Sequence, residues 1–228
     1  MKQKKWNLIN LCGILLVILM SSGCAGPKLY SINMYYDVYQ TDIPAHSKNS
    51  DKNADFSISV AAFTDIRKID DDLVIGRVIE SNGVNVLVVP KNVKATKAIS
   101  TGIKQYLKEA GYKVSEQMES WNLKEESIPK GDSKILIGGN IEELEIYCRK
   151  DLLTNAYASN IKLNVVFADM TQGRILYKTT VESSYSMEHV LFSEKILAEQ
   201  VDIVLADAIE KLFDDKKVAQ KLKEAMAQ

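Results

Sequence analysis

Two hydrophobic periods organise the chain from residue 56 onward. Phe56, Ile58, Val60 and Ala62 alternate with Ser57, Ser59 and Ala61, which predicts a strand by period and by β-branching. A charged loop, Thr64 to Asp72, leads to Val74, Ile75 and Gly76. Val84 to Val89 reads as a further strand, closed by Pro90. Val93, Ala98, Ile99, Ile103, Tyr106, Leu107 and Ala110 then recur at helical spacing, and Gly111 is placed as a left-handed stop. Gly102 weakens that helix by up to about 1 kcal/mol unless a neighbour packs closely over it.

After a polar loop, Ser115 to Asp132, which contains Trp121, the pattern changes parity. Ile135, Ile137, Gly139 and Ile141 are apolar on odd positions; Leu144, Ile146 and Cys148 are apolar on even ones. A strand keeps one face inward through such a switch only by inserting a residue, so a β-bulge is expected near Glu142–Glu143. Ile161, Leu163, Val165 and Phe167 line one face of the next strand. Asp169-Met170-Thr171-Gln172-Gly173 is a turn, with Asp169 bonding its own backbone, and Ile175 to Tyr185 returns antiparallel. The last long element is a helix from about Ser193 to Phe213. Its stripe of Ile196, Leu197, Val201, Val204, Leu205, Ala208, Ile209 and Leu212 predicts a core-facing side. Residues 215–228 read as a polar, frayed helical tail. The expected fold is therefore α/β (α+β): a mixed, mostly antiparallel sheet of four to six strands with two long helices, about 92–110 and 193–213, packed on one face.

The region before residue 56 has a different character. Lys2, Lys4 and Lys5 precede an apolar run from Leu8 to Met20, and Ser21-Ser22-Gly23 lead into Cys24. A basic start, an apolar middle and small residues are the three parts of a secretory signal. The apolar run, about 13 residues, rises roughly 20 Å as a helix, short of the roughly 30 Å hydrocarbon core. With the cysteine at its end, the segment resembles the leader of bacterial lipoproteins. That resemblance implies removal of residues 1–23, attachment of a diacylglyceryl group to the Cys24 thiol, and a palmitate-type acyl chain on the new amino terminus. Ala25, where an inner-membrane retention signal has aspartate, implies the outer membrane of a two-membrane cell, facing the periplasm. Tyr30, Ile32, Met34, Tyr36 and Val38 then alternate as a short strand or extended segment. Thr41 to Asp55 reads as a polar tether of at most about 50 Å. Residues 24–55 are thus expected to hold the lipid, the extended segment and the tether; residues 56–214 form the domain, and a fragment from residue 55 on is expected to be soluble and monodisperse.

Composition narrows the function. The mature part carries 26 Lys and Arg (29 less the three in the leader) against 30 Asp and Glu. That balance argues against a nucleic-acid binder, which concentrates positive charge on one face. Cys12 leaves with the leader and Cys24 takes lipid, so Cys148 has no disulfide partner. His46 and His189 are too few for a His-rich metal site, and no metal or cofactor is expected.

No catalytic motif stands out, and the expectation is that the protein is not an enzyme. His189 beside Glu188 and Ser193 reads as surface or capping residues. Glu142, Glu143 and Glu145 read as a solvated strand face, and Asp70-Asp71-Asp72 as a solvated loop. Asp65 and Arg67, with Arg77 after them, form a polar corner that either faces a partner or pairs internally.

At these residues a family likeness enters. Phe63-x-Asp65-x-Arg67, the following Ile75-Gly76, the helix ending Ala110-Gly111-Tyr112-x-Val114, the turn Asp169-x-x-x-Gly173 and the final helix resemble the YajG-type family of bacterial lipoproteins over residues 55–214. The resemblance implies an envelope lipoprotein and confers no activity. The expected function is a membrane-anchored, non-enzymatic docking domain for periplasmic or outer-membrane protein partners. The alternatives are an auxiliary subunit of an envelope transport or secretion complex, a small-ligand binder with an apolar cavity between sheet and helices, and an envelope hydrolase, which needs acidic residues such as Glu143, Asp169 and Glu182 to converge in a cleft.

Overall fold

The computed structural model describes residues 28–36, 43–49, 57–116 and 121–226; Cys24 and the leader lie outside them. Its frame is a long antiparallel meander, β6 (Ile135–Lys150), β7 (Asn155–Asp169) and β8 (Arg174–His189). The free edge of β6 is occupied in succession by three parallel strands: β2 (Ile58–Val60), β3 (Thr64–Asp65) and β4 (Gly76–Ile79). β5 (Asn85–Pro90) pairs antiparallel with β4, and β1 (Leu29–Ile32) pairs parallel with β5. The order is β1-β5-β4-β6-β7-β8, with β2 and β3 adding to those six along β6. The expected mixed, mostly antiparallel sheet is what forms, with eight strands among the described residues where four to six were expected.

The parity switch in β6 resolves as anticipated. The register against β7 shifts between Ile141 and Glu143, leaving Glu142 with no opposite residue. Ile135, Ile137 and Ile141 before the bulge, and Leu144, Ile146 and Cys148 after it, all stay buried. One inserted residue therefore keeps a 16-residue strand facing a single core.

That core lies between the sheet and three helices: α1 (Ala95–Glu109), α2 (Glu194–Asp214) and α3 (Lys216–Met226). The α2 stripe faces the core, with Leu197, Val201, Val204, Leu205, Ala208 and Ile209 all at 0 % exposure and Ile196 partly buried at its start. Tyr106 of α1 stacks on Phe213 of α2 at 4.6 Å between ring centres. Gly102 is tolerated because α1 is crowded there: a Cβ would come within 2.7 Å of Ile209 and 2.9 Å of Tyr36. The expected frayed tail is a docked helix instead, since Val218, Ala219, Leu222 and Ala225 are buried.

The largest departure concerns the amino-terminal segment. Tyr30, Ile32, Met34 and Tyr36 are all buried in the main core, and β1 forms the sheet edge. Residues 43–49 also pack: Ser47 Oγ donates to Phe213 O at 2.6 Å, filling an otherwise unpaired carbonyl at the end of α2. The body expected to begin at residue 56 therefore takes in residues 29–36 and 43–49. The 41–55 segment therefore does not stand between Cys24 and the body, because the chain has already joined the sheet before reaching it. Val38 and Phe56 lie outside the described residues.

On the opposite face of the sheet a smaller apolar cluster forms near the start of β6. Trp121 covers Leu136, Val166, Ala168 and Met170, and its Nε1 donates to Lys124 O at 2.9 Å. The polar 115–132 loop is thus partly a cover.

Candidate functional site

Helices cover one face of the sheet along its whole length, whereas Trp121 and its neighbours cover only one end of the other. The remaining open face is polar, and period-2 alternation puts it there. On β6 the residues between buried Leu144, Ile146 and Cys148 point outward; on β7 the same holds for Asn160 and Lys162. Two troughs run across it. One, of about 440 Å³, is lined by Arg67, Lys68, Ile69, Arg77, Glu142 and Glu143, among others. The second, of about 360 Å³, is lined by Tyr147, Ser184, Tyr185 and Ser186 and shares Arg77, Glu145 and Asn160 with the first.

Opposite charges meet across neighbouring strands. Arg77 Nη2 lies 2.9 Å from Glu145 Oε1, and Lys162 Nζ lies 2.6 Å from Glu182 Oε1 and 4.0 Å from Glu142 Oε2. Asn160 Nδ2 donates to Glu143 Oε2 at 3.2 Å. The hydrogen bond to Glu182 and the charges of Glu182, Glu142 and Glu143 raise the Lys162 pKa above its ordinary value. Sequence reasoning named Glu142, Glu143 and Glu145 as a solvated face and Glu182 only under the hydrolase alternative, and it missed Lys162 and Asn160. The signal available was the polar alternate positions of β7 and β8, which only the strand register sets beside them.

The Asp65–Arg67 corner is largely internal. Arg67 Nη2 donates to Asp65 Oδ2 at 2.7 Å, and the two side chains are only 5 % and 12 % exposed. Arg67 Nη1 also donates to Val74 O and Leu144 O at 2.9 and 3.0 Å. The guanidinium therefore ties the 66–74 loop to β6 just past its bulge, in the gap between the β3 pairing, which ends at Ile141, and the β4 pairing, which begins at Ile146. Arg77 is separate and half exposed, on the open face.

Other sequence candidates are dispersed. Asp169, at the far end of β7 about 23 Å from Lys162 by strand rise, is buried and accepts from Gln172 N, closing its own turn. Ser193 Oγ accepts from Ile196 N to cap α2, and His189 Nδ1 bonds within its turn at Leu191. Asp71 accepts from Leu73 N and Asp72 pairs with Lys94. Cys148 is buried between sheet and helices, and burial pushes its thiol up to about 11, which makes it inert at neutral pH.

A third cluster lies where β1 starts. Glu80, just after β4, accepts from Tyr30 Oη at 2.6 Å, from Lys28 Nζ at 2.9 Å and from Lys150 Nζ at about 3 Å. Lys150 also sits 3.4 Å over the centre of the Phe192 ring. With its carboxylate held by the Tyr30 hydroxyl and two ammonium groups, Glu80 titrates at about 2.

The fold has a counterpart among solved structures. It is that of a Xanthomonas campestris protein of the DUF330 family. The two superpose with a TM-score of 0.52 at 13% identity, over 86% of this chain and 99% of that one. A hemagglutinin homologue described as neuraminyllactose-binding, from Helicobacter pylori, gives 0.43 at 10% identity over 83% of this chain and 98% of its own. A minor lipoprotein from Acinetobacter baumannii gives 0.37 at 13% identity over 56% and 89%. Those last two scores are too low to bear on fold or function. No protein-family model matches the sequence, and no curated protein matches it either.

Proposed function

We propose that this chain is a non-enzymatic lipoprotein of the bacterial cell envelope, related to the YajG-type lipoproteins. In this reading it is anchored through lipid on Cys24 to the periplasmic side of the outer membrane. The observation that carries the reading is the leader itself: Lys2, Lys4 and Lys5, an apolar run, then Ser21-Ser22-Gly23-Cys24. Two or more acyl chains hold a protein stably on a bilayer, where one holds it marginally.

The domain's role is to present the open sheet face to an envelope protein. That face is broad, rigidly backed by the helices and built of alternating cations and anions, which suits it to a partner of matching, opposite pattern. Confinement to a membrane raises the effective concentration of such a partner. A photo-crosslinking residue placed at Tyr147, on this face beside Arg77, tests the reading in intact cells. The expected result is one adduct of discrete mass that is lost when Arg77→Glu or Glu145→Arg is introduced and is not regained in the double variant, which restores the ion pair between the two residues but reverses the pattern a partner meets. No discrete adduct, or an adduct indifferent to those charges, contradicts it.

A further inference from the structure

The amino-terminal start of β1, the β4–β5 turn, the β6–β7 hairpin tip and the β8–α2 connection all lie at one end of the sheet. The register requires this: Leu29 pairs with Leu87, Ile79 with both Asn85 and Arg149, and Asn155 with His189. Contacts draw the same segments together. Lys28 and Lys150 share Glu80, and Phe192 lies 4.9 Å from the Tyr30 ring.

This end also carries the four most exposed large apolar side chains among the described residues. They are Leu152 (97 %) and Leu153 (86 %) at the hairpin tip, and Val190 (68 %) and Leu191 (67 %) after β8. Val84 and Leu29, each about half exposed, flank them. A solvated hairpin tip ordinarily takes turn formers such as Asn, Asp or Gly. Two adjacent leucines there bury nothing inside the protein. The opposite end of the sheet contrasts with it: the β7–β8 turn presents Thr171, Gln172 and Gly173 to water.

The place of the lipid decides what meets this tip. Cys24 is five residues before Leu29, and five residues span at most about 18 Å. If Cys24 carries acyl chains, the end of the sheet where β1 begins is held within that distance of the bilayer surface. We propose that Leu152, Leu153, Val190 and Leu191 form a second membrane contact, inserting into the headgroup–acyl boundary of the leaflet that holds the Cys24 lipid. The proposal rests on the lipoprotein reading and extends it. One anchor point leaves a domain free to swivel; a second, on the same end, fixes the sheet upright with its open face turned sideways to the membrane. Leucines transferred from water to the interface supply the attraction.

The test uses the full-length chain, extracted from membranes and reconstituted in phosphatidylethanolamine–phosphatidylglycerol vesicles. Leu152→Cys, Leu191→Cys and Thr171→Cys variants each carry one environment-sensitive fluorophore. Cys148 is fully buried and does not compete for label. Thr171 lies one β7 length away, about 45–50 Å. Emission at 152 and 191 is expected to shift to the blue and to be quenched by lipids with brominated acyl chains, and emission at 171 to do neither. Leu152→Asp with Leu153→Asp should abolish the shift at 191 while circular dichroism is unchanged. The intact mass of each preparation is measured first. Water-like emission at 152 and 191 on a chain whose mass shows an acylated Cys24 overturns the membrane contact and leaves the anchor standing. A bare Cys24 with its leader intact overturns both.

Discussion

Lys150 Nζ sits 3.0 Å from Glu80 Oε2, joining the last residue of β6 to the residue after β4. The Tyr30 hydroxyl donates to the same carboxylate, so one group fastens β1, β4 and β6 at the end of the sheet nearest Cys24. Glu80 titrates at about 2 in the folded chain against an ordinary 4.5. A depressed folded pKa means stability that is present above the unfolded value and lost as pH falls from about 5 to about 2. Glu80→Gln should cost on the order of 1–3 kcal/mol at pH 7. It should also flatten the fall of Tm with acid in that window. Thermal melts of the two proteins from pH 7 to pH 2 check this; parallel curves would count against it.

Arg67 is more demanding. Its guanidinium meets Asp65, Val74 O and Leu144 O with 5 % of the side chain exposed. Arg67→Ala leaves a buried carboxylate and two carbonyls unfilled and should destabilise by about 3–5 kcal/mol in denaturant titrations. Arg67→Lys keeps the charge but lacks the planar fork, so it should recover only part of the loss.

Trp121 is the sole tryptophan once residues 1–23 are removed. Buried over Leu136, Val166 and Met170, it should emit in the blue when folded and shift red in step with unfolding measured by circular dichroism. Trp121→Ala should cost about 3–5 kcal/mol. A native emission typical of water would mean that the loop does not cover the sheet.

The amino-terminal strand supports the core. Removing residues before 57 takes Tyr30, Ile32, Met34 and Tyr36 out of it, on the order of 10 kcal/mol of burial at about 1.5–3 kcal/mol each. That rivals the whole stability of a typical domain. A 57–228 fragment should therefore aggregate or melt without cooperativity, whereas 28–228 unfolds cooperatively. A stable, monodisperse 57–228 fragment would contradict the sheet order.

What the sequence revealed followed from local period. The bulge at Glu142 was legible because a change of parity has one structural remedy, and the α2 stripe because eight apolar positions repeat at helical spacing. The alternation of Tyr30 to Tyr36 was visible, but its place on β5 was not. Parallel pairing across more than 50 residues leaves no mark in either segment. β3 is two residues long, too short for any period. The pairing of Asp65 with Arg67 was within reach of local reading, while the link from Arg67 to Leu144, 77 residues on, was not. The gathering of Lys28, Glu80, Lys150 and Phe192 at one end is of the same kind, and so is the setting of Lys162 between Glu142 and Glu182.

The central claim is that lipid on Cys24 holds an exported domain against a bilayer, and the mass of the mature amino terminus tests it most directly. Protein taken from cell membranes should begin at Cys24 and carry a diacylglyceryl group and an amide-linked acyl chain, and Cys24→Ala should accumulate with residues 1–23 still attached. A native chain recovered from the cytosol with that leader uncut and the Cys24 thiol free would contradict the account.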